Sequence, residues 1–337
     1  MNKKLITLAI AAAVAAPLAA QAGSITVPNM DITMSGGITG AYIYQTDTKV
    51  DQYVVEDALL DFSSEAKAGG MGFDLGVGTL GGNSLVAPTT VIGNGGNVGV
   101  QYGWITVMPT DGLKVDAGLL ATNVGYELVP SYLDGNILRG LLNANQPAYY
   151  TGARATYSTG GMSVYVEGSK QSATSNGQAI GASATMGSVN GTISYFNDED
   201  NKSIVDIIAS SKVGSMTLAA NIDYQTLAKS KKVAGKDDSA YGIALYATLP
   251  MGDMAELPMR LEYVNDGTSN IYGLSSGAAV SKSAMSFTIS PTYNFSKATF
   301  VRAELAYVNT DKKSVLTDDK GLTDSNLTVG LQGGVRF

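Results

Sequence analysis

The chain of 337 residues has no cysteine and no histidine. Without cysteine there is no disulfide framework, no thiolate metal site and no thiol nucleophile. Without histidine there is no Ser-His pair and no Asp-His dyad, so the common routes of nucleophile activation are closed. The sequence is therefore expected to be no enzyme and to need no cofactor. Charge is also scarce, at 15% of residues against about 25% in ordinary soluble domains. The formal charge of -7 argues against nucleic acid or an anionic surface as partner. Beyond the first residues, no stretch reaches the roughly 18 to 20 consecutive apolar residues of a membrane-spanning helix.

The opening residues have a pattern of their own. Lys3 and Lys4 precede an apolar run from Leu5 to Leu18, and Ala20-Gln21-Ala22 supplies small residues for cleavage. Residues 1–22 are expected to be a removable export signal, leaving 23–337 as the mature protein. Its loss leaves 20 basic against 29 acidic residues, a net charge of about -9.

What is abundant is glycine (40), tyrosine (18) and short-period alternation. Met216, Leu218, Ala220, Ile222 and Tyr224 alternate with Thr217, Ala219, Asn221, Asp223 and Gln225. A period of two over about ten residues is the pattern of a strand with one face in lipid and the other in water. Sixteen such segments are expected, at 30–45, 52–67, 71–80, 97–108, 112–122, 147–158, 162–171, 178–187, 189–197, 203–213, 215–226, 239–249, 257–265, 283–295, 298–309 and 325–337. Fourteen or eighteen strands stay open if a weak segment such as 71–80 or 178–187 is misread.

The connections check the count. Short turn-rich links such as Ala68-Gly69-Gly70, Thr159-Gly160-Gly161 and Val213-Gly214-Ser215 alternate with long ones: 81–96, 123–146, 227–238, 266–282 and 310–324. A missed strand would exchange the two sides for everything downstream. The fold class expected is therefore all-β, a transmembrane antiparallel up-and-down β-barrel of 16 strands in the bacterial outer membrane. A soluble β-sandwich or β-helix fits less well, because it predicts shorter strands over a buried aliphatic core.

The longest link, 123–146, is the third external loop. The architecture resembles general porins, in which that loop folds into the lumen and narrows it; an exposed surface loop is the alternative. Within it, the stretch SYLDGNILRGLL (131–142) would form a short helical turn against the wall, bringing Tyr126, Glu127, Tyr132, Asp134 and Arg139 to a constriction. On the polar strand faces stand Lys114, Arg154, Arg260, Arg302 and Arg336, with Asp57, Asp61, Asp116, Glu167, Asp206, Glu262 and Glu304. They would set a transverse field across a pore. Alternatively, Arg260 with Glu262 and Arg302 with Glu304 form a network that stabilises the wall. Asp198, Glu199 and Asp200 are either a solvated loop or a cation site. Tyr42, Tyr44, Trp104, Tyr157, Tyr195, Tyr224, Tyr263, Tyr293 and Tyr307 suit interfacial girdles, whereas Tyr165 and Tyr246 fall on the lumen face.

Residues 112–157, with GYELVPSY (125–132), Asn136, Arg139 and TGARATY (151–157), resemble the OmpL-like β-barrel porin family of Gram-negative outer membranes. The resemblance implies an outer-membrane porin, and resemblance to general porins a homotrimer. The function expected is passive diffusion of ions and small hydrophilic solutes through a water-filled pore. A loop-plugged structural or adhesive barrel is the alternative. The expected partners are outer-membrane lipid and lipopolysaccharide, and the barrel-insertion machinery, whose signal the terminal strand ending in Phe337 resembles.

Overall fold

The computed structural model describes residues 31–81, 85, 98–275, 280–313, 315–318 and 321–337. The expected signal segment 1–22 and most of the 81–96 link lie outside the described residues.

Sixteen antiparallel strands follow one another around a closed ring. They are β1 (Thr33–Gln45), β2 (Val50–Ser64), β3 (Gly70–Leu80), β4 (Gly99–Thr110), β5 (Leu113–Ala121), β6 (Tyr149–Thr159), β7 (Met162–Lys170) and β8 (Asn176–Met186). The second half comprises β9 (Val189–Asp198), β10 (Lys202–Val213), β11 (Met216–Leu227), β12 (Ser239–Pro250), β13 (Ala255–Asn265), β14 (Ser283–Ile289 and Thr292–Asn294), β15 (Thr299–Thr310) and β16 (Ser325–Arg336). All sixteen expected segments are strands, and the five long links follow odd-numbered strands, β3, β5, β11, β13 and β15, whereas the links after β1, β7 and β9 are no longer than the turn after β2.

The ring closes by pairing β1 with β16, from Gly37 opposite Arg336 to Gln45 opposite Thr328. Gly36 and Phe337 exchange reciprocal N–H···O bonds of 3.1 Å at the end of this seam. Full closure satisfies each strand's ladder and leaves no open edge, which is what a hydrocarbon surrounding demands. Alternation dictates which side each residue faces: in β16, Thr328 and Gln332 are buried inside, while Val329, Leu331 and Val335 are exposed outside.

Irregularities interrupt the ladder at several places, including register shifts between Gly76 and Val77 and between Val107 and Thr110. Between Thr39 opposite Asp57 and Gly40 opposite Val55, Glu56 is an extra residue in β2. This bulge buries both Glu56 and Asp57, re-aiming neighbouring carboxylates to the same side. In β14, expected as continuous, Pro291 cannot donate to the ladder, and the strand breaks there. The tight turns lie at one rim; Gly187 (φ +63) and Gly214 (φ +63) adopt left-handed conformations there that only glycine takes without strain.

The interior is not uniform. Ala41, Ile43, Val54, Ala240, Ala244, Val264, Ala284, Ala306 and Val308 point inward from β1, β2 and β12–β15, forming one apolar cluster with residues from the loops. An apolar patch on the inner wall of a barrel has to be covered, because leaving it wet would forfeit about 25 cal/mol per Å².

Candidate functional site

The cover is the loop from Thr122 to Ala148. Its residues Ile137, Leu138, Leu141 and Leu142 are at most 2% exposed and pack onto that patch. Leu85 of the second loop, Ile271, Tyr272 and Leu274 of the seventh, and Leu316 of the eighth join them. The loop thus lies inside the barrel, and the surface-loop alternative is not what the structure shows. Its regular structure is limited to 3-10 turns at Ser131–Leu133 and Asn143–Asn145, less than the expected helical turn over 131–142.

Because the loop lacks a ladder, its backbone groups are satisfied by wall side chains. Glu304 accepts from the N–H of Ile137 (2.6 Å) and Leu138 (3.0 Å). Asp57 accepts from Ser131 N–H (2.5 Å), whose hydroxyl also meets Thr39 at 2.7 Å. Glu262 accepts from Leu142 N–H at 3.2 Å. In the opposite sense, Arg302 donates to the carbonyl of Asp134 (2.7 Å) and Arg336 to that of Tyr132 (3.2 Å).

At the centre, Arg260 lies between two carboxylates, Glu127 of the loop at 2.9 Å and Glu262 of its own strand at 3.2 Å. It also donates to Leu138 O at 3.0 Å. All three side chains are at most 1% exposed, so each charge depends on the others for compensation. Arg139 is an internal clamp, donating to the carbonyls of Leu128 and Val129 and pairing with Asp134. Burial pushes the Asp134 carboxyl up to about 6, against the pull of Arg139.

Ten of the charged residues singled out in the sequence therefore divide. Glu127, Asp134, Arg139, Arg260, Glu262, Arg302 and Glu304 are brought together where loop and wall meet. Arg260, Glu262, Arg302 and Glu304 face inward, yet the loop stands between them and water. Arg302 bonds Thr292 (3.0 Å) and Gln332 (3.1 Å) as well as the loop. The others stand on the far wall. Lys114 pairs with Asp116 at 3.1 Å and keeps its side chain 48% exposed, and Arg154 pairs with Glu167 at 2.8 Å.

The far wall has a different lining. From β6 to β11, Thr156, Ser163, Ser183, Thr192, Ser210 and Thr217 are partly exposed on the inward face. They are small and polar, with bonds such as Ser163 to Ser183 at 2.7 Å. Two cavities border the loop. One of about 580 Å³ opens at the short-turn rim between Asp61, Tyr102, Tyr132, Leu133, Lys297 and Arg336. The other, about 550 Å³, lies toward the long loops, among Glu127, Arg139, Asn145, Gln146 and Tyr272.

On the outside, Tyr157, Tyr195, Tyr224, Tyr293 and Tyr307 are exposed as expected of a girdle. Trp104 is a correction. It shares the face of Thr106, which bonds Asp116 at 2.7 Å, and packs with Tyr102 inside the barrel at 5.8 Å between rings. Its strand parity overrides the interfacial preference of its side chain. The Asp198-Glu199-Asp200 loop is tied by Ser175 (2.7 Å) and Asn176 (3.0 Å). Among the described residues no three acidic groups converge to hold a metal ion.

A closed sixteen-stranded barrel with an inward third loop defines the class: an outer-membrane porin. The chain belongs to the family described as "Putative beta-barrel porin-2, OmpL-like", which matches residues 31–337. No curated protein sequence is significantly similar to it. Among solved structures it is similar to the outer-membrane channel DcaP of Acinetobacter baumannii, with a TM-score of 0.65 at 12% identity over 94% of this chain and 100% of that one. OmpT of Vibrio cholerae in its trimer form gives 0.62 at 12% identity, covering 91% and 99%. An anion-selective porin from Comamonas acidovorans gives 0.61 at 14% identity, covering 92% and 100%. At these identities the likeness is one of fold.

Proposed function

We propose that ions and small hydrophilic solutes diffuse passively along the β3–β11 side of the lumen, past the third loop as constriction. The observation that carries this is the division of the interior: one side filled by loops on an apolar patch, the other carrying a smaller apolar cluster of Leu120, Tyr150, Tyr165, Phe196 and Ile204 toward the long loops and, below it, small hydroxyls and the exposed Lys114. Asp61 and Asp116 outnumber Lys114 on the β2–β5 wall, which favours cations.

Planar-bilayer recording of the purified protein tests the reading. Stepwise conductance is expected, with a reversal potential of cationic sign across a salt gradient. Correctly folded protein that never conducts would sink it. A plugged structural or adhesive barrel is the second reading, favoured by the fully buried Leu142 and Ile137. Deleting residues 131–142 separates the two, since a plug gives conductance only after deletion and a constriction gives an increase from an open state.

The same reading has residues 1–22 removed on export and the β16 strand recognised by the insertion machinery. It places the girdle among lipid and lipopolysaccharide, with the barrel assembling as a homotrimer; a trimeric form is recorded for the similar OmpT. Native mass measurement of a monomer alone would refute that assembly. The reading assigns no catalytic step, no cofactor and no nucleic-acid partner.

A further inference from the structure

Asp206 in β10 and Asp223 in β11 stand directly opposite each other in register, both 0% exposed. Their carboxyl groups lie within hydrogen-bonding reach of one another. Asp206 Oδ1 is buried and has no well-formed hydrogen bond, the N–H of Gly125 being the backbone donor that approaches this carboxyl. Two ionised carboxylates so close and so dry would repel strongly. Among the described residues, neither forms a salt bridge. The nearest base on their own strands is Lys202, whose charge reaches Asp223 but whose hydrogen bonds go to Asn145 O (2.5 Å) and Gln225 Oε1 (2.8 Å).

Other neighbours supply no compensating charge. Gly242 and Ala244 of β12 oppose Asp223 and Asn221, and Ser194 of β9 opposes Asp206. The seventh loop brings Tyr272 near Asp223, with Asp266 accepting from Tyr272 N–H at 3.0 Å, and neither is a base. Arg154 is held by Glu167. The amides settle what kind of ligand fits. Asn221 Nδ2 donates to Asp206 Oδ2, Gln225 Nε2 donates to Asp223 at 3.2 Å, and Gln146 Nε2 donates to both oxygens of Asp223 at 3.2 and 3.0 Å. Donors turned toward the acids are the wrong polarity for a bound cation, which needs oxygens. A single proton between the carboxyl groups satisfies the orphan oxygen and halves the charge.

The pair also sits where the third loop begins and ends. Tyr126 N–H (3.3 Å) and Gln146 Nε2 (3.0 Å) both donate to Asn221 Oδ1. Gly125 takes φ +94, and a Cβ there would lie 2.2 Å from Gln146 Oε1. Both ends of the loop are thus fastened to one patch of β10–β11.

We propose that Asp206 and Asp223 share one proton, and that this proton latches the neck of the third loop to the wall, so that its loss in alkali frees the neck and widens the channel. The widening rests on the pore reading above; the proton does not. Two measurements keep them apart. Infrared difference spectra, folded wild type minus folded Asp206→Asn, should show a carboxylic-acid carbonyl band at neutral pH that is lost at strongly alkaline pH. In bilayers, conductance should rise about twofold or more over that range.

Asp206→Asn can donate its amide to Asp223 while still accepting from Asn221, so it should stay at the low conductance throughout. Gln146→Leu should conduct at the high level at both pH values. The proposal is overturned if the band is absent at every pH, if Asp206→Asn keeps the wild-type pH response, or if calcium ion rather than acid restores the low conductance. A band without any conductance would retain the proton and reject the pore.

Discussion

The two sides of the lumen are built from the same alternating strands yet are held by different forces. Toward β12–β16, β1 and β2, inward alanines and valines form a dry face onto which Ile137, Leu138, Leu141 and Leu142 pack, and buried charges stitch the loop to the wall. Toward β3–β11 the apolar lining is smaller, a cluster of Leu120, Tyr150, Tyr165, Phe196 and Ile204 under Val124, and the inward positions below it are mostly small hydroxyls that meet water. A barrel wall needs only an outward apolar face to exist in lipid; an inward apolar face is an additional demand that a loop has to meet. The contrast shows that the third loop is held chiefly on the side where the inner wall carries the larger apolar face.

The sharpest way to break the contrast is to orphan a charge on the filled side. Arg260→Ala leaves Glu127 and Glu262 buried without a partner, and the expected loss is about 3–5 kcal/mol, read from denaturant unfolding in detergent. Leu142→Ala removes apolar packing from a fully buried site and should cost about 2–5 kcal/mol; noisier single-channel current would report the loosened loop.

On the open side the effects should fall on transport. Lys114→Glu is expected to move the reversal potential further toward cations with stability changed by less than about 1 kcal/mol, and an unmoved potential would place Lys114 off the ion path. Ser183→Ala, at a partly exposed lumen position, should change stability by no more than about 0.5 kcal/mol. A cost of several kcal/mol there would erase the distinction between the two sides.

Most of the wall was legible because lipid enforces a strict period of two, and the parity of short and long links checks the count independently. The inward orientation of Arg260, Glu262, Arg302 and Glu304 followed from the same rule. Their burial did not, since it depends on a loop 120 to 168 residues distant in sequence for the bonds of Glu262 and Arg302. The apolar run Ile137 to Leu142 was the readable sign of an inward loop. Ile271 and Tyr272 carried a weaker version of that sign inside a polar link, and Leu85 and Leu316 almost none. Asn221, Asp223 and Gln146 looked like ordinary polar positions, because the fastening of the loop's neck exists only once β10, β11 and both ends of the loop have met.

The seam between β1 and β16 bears on the order of assembly. Its two strands stand nearly a full chain length apart, so their pairing requires the least local loop closure in the molecule, the kind of step that slows folding. They also hold the third loop, through Thr39 to Ser131 and Arg336 to Tyr132. A loop that is gripped by the seam cannot be inserted after the ring has shut without reopening it, so ring closure and loop seating should occur as one event. Pulse-labelled refolding in which Ser131 became protected well after the seam would separate them.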